Sequence, residues 1–85
     1  MTTSPATFDK VILFGADWCR DCVRSKAVLD RLGTEYRYID LVATPEESDR
    51  ALAISGRTNI PVIVFPDGSH LVEPTDRELE AALGR

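Results

Sequence analysis

Thiols and imidazoles are scarce in this 85-residue chain: it carries two cysteines, Cys19 and Cys22, and one histidine, His70. A structural zinc site takes four ligands, commonly Cys or His. Two thiols and one distant imidazole do not fill it, and a site completed by Asp17 and Asp21 would be an unusual donor set. Basic residues are also in deficit, with a net charge of −4, which argues against a nucleic-acid surface. No apolar run approaches the roughly 20 residues that span a bilayer. The opening Met1-Thr2-Thr3-Ser4-Pro5 has neither the charged nor the apolar region of a secretory signal, so the chain is expected to be cytoplasmic. Permanent disulfides are rare there, and a bridge from Cys19 to Cys22 closes a loop too small to stabilise the fold much. With a metal site and a staple both disfavoured, a dithiol that cycles between reduced and oxidised forms becomes the leading reading of the pair.

Composition is ordinary for a globular domain, with 44% hydrophobic and 28% charged residues. The length suits one domain over 1–85, with residues 1–8 expected as a loose terminus. Lys10 to Phe14 is a nearly unbroken apolar run, as in a strand covered on both faces. From Cys19 to Leu32 the period becomes helical. Cys22, Ser25, Val28, Leu29 and Leu32 share one stripe, while Arg20, Arg24 and Arg31 fall on another and are expected to be solvated. Gly33 is a natural stop. Tyr36 to Leu41 reads as a second strand. Thr44-Pro45-Glu46-Glu47 has the pattern of a capping box with Pro at the first helical position, opening a helix that ends at Gly56. Pro61 to Phe65 is a third strand, Pro66-Asp67-Gly68-Ser69 a turn, and His70 to Glu73 a short antiparallel return in which His70 faces solvent. Thr75-Asp76-Arg77-Glu78 is another capping box, before a helix expected to bury Leu79, Ala82 and Leu83. The order β-α-β-α-β-β-α predicts an α/β fold. Its first two strands are parallel, through a right-handed crossover, in a mixed sheet with helices on its faces.

A buried strand running into Trp18-Cys19-Arg20-Asp21-Cys22 at a helix start, with Asn59-Ile60-Pro61 before the third strand, resembles the thioredoxin superfamily. Length and element order point to its minimal glutaredoxin form, with a four-stranded sheet and three helices. The stretch from Phe65 to Pro74 looks most like the mycoredoxin branch. The resemblance implies a cis Ile60-Pro61 bond beside the dithiol. It also implies a substrate groove formed by Trp18, Arg20, Asn59, Ile60 and Pro61, with Thr75 and Asp76 in the segment that holds a small thiol. Trp18 is expected to cover the dithiol and meet partners; the alternative is a half-buried packing residue, and the two roles are compatible. The chain departs from glutathione-using relatives at three places. Ala16 and Asp17 stand where a lysine is common, and Arg20-Asp21 stand where Pro-Tyr is common. Glu73-Pro74-Thr75-Asp76 replaces a glycine pair followed by an acid.

The attacking species in disulfide exchange is a thiolate, which a helix N-terminus stabilises through unpaired N–H groups and the helix dipole. Cys19 occupies that position and is the expected nucleophile, exposed at the helix end. Cys22, deeper in the first turn, is expected to resolve the mixed disulfide. Arg20 should favour the thiolate, and Asp17 and Asp21 should oppose it if they lie close. The implied function is thiol-disulfide exchange on protein disulfides, or on mixed disulfides with a low-molecular-weight thiol. Recycling falls to mycothiol, glutathione or a thioredoxin-reductase-like flavoprotein. No bound cofactor is needed, neither membrane nor nucleic acid is a partner, and a monomer is expected. The alternatives are a dedicated electron-delivery partner for one enzyme, or a metal or iron–sulfur scaffold.

Overall fold

The structure, a computed structural model, describes residues 10–84. The expected loose segment 1–8 lies outside them. Among the described residues the elements are β1 (Val11–Gly15), α1 (Arg20–Arg31), β2 (Tyr36–Asp40), α2 (Glu47–Ser55), β3 (Val62–Val64), β4 (His70–Val72) and α3 (Asp76–Ala82). The sheet order is β2-β1-β3-β4. β1 runs parallel to β2 and antiparallel to β3, and β4 returns antiparallel along β3.

Strand alternation explains the two-sided core. Side chains two apart along a strand share a face. Val11, Leu13 and Ile63 therefore meet Val28 and Leu29 of α1 and Leu79 of α3. Ile12, Phe14, Ile39, Val62 and Val64 meet Ala51 of α2 on the opposite face. This accounts for the unbroken apolar runs: β1 and β3 are covered on both sides. α1 and α2 stop where the predicted glycines, Gly33 and Gly56, turn to φ 69° and 73°, a region that costs a side chain energy and glycine little.

Local chemistry succeeds at one capping motif and fails at the other. Thr75 accepts the Glu78 N–H at 3.0 Å, and Glu78 reaches back to the Thr75 N–H at 2.8 Å. The expected box at Thr44 does not form. The Thr44 hydroxyl instead donates to the Asp40 carbonyl at 2.7 Å, and the Asp40 carboxylate accepts the Val42 N–H at 2.9 Å. The end of β2 thus captures Thr44 in a turn, and α2 begins later, at Glu47, with no side-chain cap.

Two further expectations are corrected by packing. Ala82 is exposed; Leu79 is buried and Leu83 half-buried, because the short α3 meets α1 along a narrow seam. The arginine ridge on α1 is more than a solvated face. Arg31 bonds Glu80 at 2.6 Å, and Arg24 contacts Asp76 at 3.0 Å, so both tie α1 to α3. His70 is exposed on β4, as its position beside the turn suggested.

Candidate active site

β1 delivers the chain to the start of α1, and the cysteine pair sits at that junction. Cys19 is the N-cap residue, extended at φ −87° and ψ 116°. Its N–H donates to the Ala16 carbonyl at 3.1 Å. Its sulfur accepts the Cys22 N–H at 3.2 Å, which is the task a Ser or Asp side chain performs at an ordinary helix start. The Cys19 thiol also faces the Ile60 carbonyl at 3.9 Å. Both cysteines are free thiols.

Cys19 is less open than the sequence suggested. It is 8% exposed, while Cys22 is fully enclosed at 0%. Ala16 and Ile60 pack against the pair, and only a narrow face of Cys19 stays open. Burial pushes the Cys22 thiol up to about 12, with the hydrogen bond to Cys19 adding to the effect. Cys22 therefore holds its proton at neutral pH.

Gly15, the last residue of β1, makes this enclosure possible. A Cβ built there would lie 2.8 Å from the Cys22 sulfur and 3.1 Å from its Cβ. The backbone of Gly15 is not in a left-handed conformation, so glycine is required here for space. Its position at the strand end, just before the cysteine motif, was the available signal. Sequence reasoning used it only to end the strand.

The loop before Cys19 is pinned from β2. The Tyr38 hydroxyl donates to the Asp17 carboxylate at 2.9 Å, and the Lys26 ammonium lies 3.7 Å above the Tyr38 ring. Burial, reinforced by Asp17, raises the ionisation of Tyr38. Asp17 thus serves as an acceptor for a strand residue. Asp21 is ion-paired with Arg24 at 3.1 Å.

An open groove of about 510 Å³ runs past Cys19, lined by residues 18–21 and by residues 58–60 with Glu73. It brings together Trp18, Cys19, Arg20, Asn59 and Ile60. Trp18 is 73% exposed. It stands out from the groove edge and, among the described residues, is not half-buried against another element, contrary to the packing alternative. Pro61 follows a cis bond from Ile60 and is fully buried behind the groove. Thr75 and Asp76 do not line the groove; Thr75 caps α3 and Asp76 is held by Arg24. Glu73 and Thr58 were missed, since no local pattern marks them. Among the described residues no three His, Cys, Asp or Glu side chains cluster closely enough to hold a metal.

The glutaredoxin family model matches residues 11–71, from the start of β1 into β4. The chain belongs to the glutaredoxin family. Among solved structures, a glutaredoxin from Archaeoglobus fulgidus aligns with a TM-score of 0.78 at 23% identity, covering 87% of this chain and 85% of its own. Glutaredoxin from wheat gives 0.70 at 19% identity, covering 94% and 76%. Glutaredoxin from Brucella melitensis gives 0.64 at 32% identity, covering 95% and 85%. No curated protein sequence matches the chain. Glutaredoxin membership, the thioredoxin-like fold and the Cys19–Cys22 pair at a helix start make this a thiol-disulfide oxidoreductase.

Proposed function

We propose that this glutaredoxin reduces protein disulfides, or mixed disulfides between a protein and a low-molecular-weight thiol, by a two-step dithiol exchange. The Cys19 thiolate attacks one sulfur of the substrate disulfide. A bond forms between Cys19 and that sulfur, and the other sulfur departs as a thiolate. Cys22 then gives up its proton and attacks the Cys19 sulfur. The second substrate thiol is released, and the two electrons have passed from the dithiol to the substrate. The product is a Cys19–Cys22 disulfide, which mycothiol, glutathione or a flavin-dependent reductase restores. The cytoplasm, where thiols are kept reduced, suits such a cycle.

The observation that carries this reading is the asymmetry of the two sulfurs. Cys19 lies on the groove and accepts an amide N–H, a bond that strengthens when the sulfur is charged. Cys22 is enclosed and keeps its proton, and it reacts once a disulfide has formed next to it. Cys22→Ser should form a stable mixed disulfide with an oxidised small thiol, detected by mass spectrometry. Cys19→Ser should be labelled at least about tenfold more slowly. Equal labelling of the two variants would remove the division of roles.

A further inference from the structure

Glu73 occupies a backbone position that its side chain does not favour. Its φ is 49°, and among the described residues it alone, apart from glycines, has a positive φ. Such a conformation is uncommon for non-glycine residues, and where it persists the surroundings hold it in place. Here they do so from three sides. The Glu73 N–H donates to the Pro61 carbonyl at 2.9 Å. Pro74 follows, fully buried, and its carbonyl accepts from Arg24 at 3.1 Å. The corner between β4 and α3 thus turns the Glu73 side chain to the groove that contains Cys19.

The charges around the groove do not cancel there. One Glu73 carboxylate oxygen accepts from the Asn59 amide at 3.2 Å, a neutral partner. Among the described residues no cation pairs with Glu73. Asp21 and Asp76 share the single guanidinium of Arg24, which leaves that trio net negative as well. Arg20 is the opposing cation on the groove. Building on the reading that Cys19 attacks a polypeptide disulfide, we propose that Glu73 is a specificity-determining residue that selects substrates with a Lys or Arg beside the reacting cysteine. One carboxylate oxygen accepts from Asn59 and the other is open to such a side chain, while the charge repels an acidic flank. A groove open to solvent keeps the preference modest and sensitive to salt.

The test uses the pre-reduced full chain and short cysteine peptides joined by a disulfide to 5-thio-2-nitrobenzoate. This aryl thiolate is the better leaving group, so Cys19 takes the peptide sulfur and the released thiolate is read by absorbance. The peptides carry Lys, Ala or Glu on either side of cysteine. At low ionic strength, at least one Lys peptide should react at least about threefold faster than its Ala counterpart, with Glu slower still. The preference should collapse near 1 M salt, where the Debye length is about 3 Å. Glu73→Gln keeps an oxygen able to accept from Asn59 and removes only the charge, so it should bring the Lys and Ala rates together. A merely structural latch would leave that ratio unchanged. Equal Lys and Ala rates in the native chain, or a Lys preference that survives in Glu73→Gln, would overturn the role of Glu73 while leaving the exchange chemistry intact. Failure to release the aryl thiolate from any peptide would overturn both.

Discussion

Gly15→Ala tests the packing beneath the dithiol. The added methyl would meet the Cys22 sulfur at 2.8 Å and the Leu13 Cδ2 at 3.0 Å, well inside ordinary contact of 3.4–4 Å. Overpacking of a closed core costs roughly 1–3 kcal/mol. Replacing glycine also removes freedom from the unfolded chain, which returns about 0.4–1 kcal/mol. A net loss of up to about 2.6 kcal/mol follows, about 1.3 kcal/mol at the midpoints. In a domain of this size each kcal/mol moves Tm by about 4–8 °C. The clash is chiefly with one sulfur, so the loss should depend on it. In a Cys22→Ala background the 2.8 Å contact disappears, and Gly15→Ala should cost at least about 0.5 kcal/mol less, within the usual range for touching residues. Denaturant unfolding of the four reduced proteins, native, two single and one double variant, measures that coupling. An equal cost in both backgrounds would show that the methyl is resisted by something other than the Cys22 sulfur. A stabilised Gly15→Ala would refute the close approach altogether.

Alkaline pH should destabilise the fold through Cys22 and Tyr38. Both folded groups ionise at higher pH than usual, so the folded state favours their neutral forms. For Cys22 that stability is complete below the ordinary thiol value of 9.0 and is lost as pH rises through about 12; each such group adds a slope of at most about 1.4 kcal/mol per pH unit. Cys22→Ala and Tyr38→Phe should each flatten the decline of unfolding free energy with pH in this range, and an unchanged slope in both would contradict the cause given. Arg24→Ala removes the ion pairs to Asp21 and Asp76 and the bond to the Pro74 carbonyl. Exposed pairs of this kind give about 0.2–1 kcal/mol each. The denaturation midpoint should therefore fall at low salt and fall less at high salt, while a midpoint that does not move would make the clamp a passive contact.

Local chemistry in the sequence determined most of the frame. Apolar runs marked β1 and β3, because strands covered on both faces need no polar alternation. The stripe from Cys22 to Leu29 marked the buried face of α1. Thr75 and Glu78 marked the start of α3 through bonds that span three residues. The cysteine pair identified the chemistry, and its place at a helix start made Cys19 the expected nucleophile. Thr44 shows where such rules lose: the same capping pattern was overridden by the Asp40 carbonyl at the end of β2. Tertiary structure alone decided the rest, since those contacts join residues far apart in the chain. Arg24 reaches Pro74 across 50 positions and Tyr38 reaches Asp17 across 21. Gly15 matters because α1 folds back and sets the Cys22 sulfur against it, and Trp18 stands exposed at the groove edge among the described residues. Glu73 faces the dithiol groove only because β4 pairs with β3 and turns there. A local pattern can specify a helix start or a strand face, but which side chains meet across the groove is set by how the sheet and helices close around it.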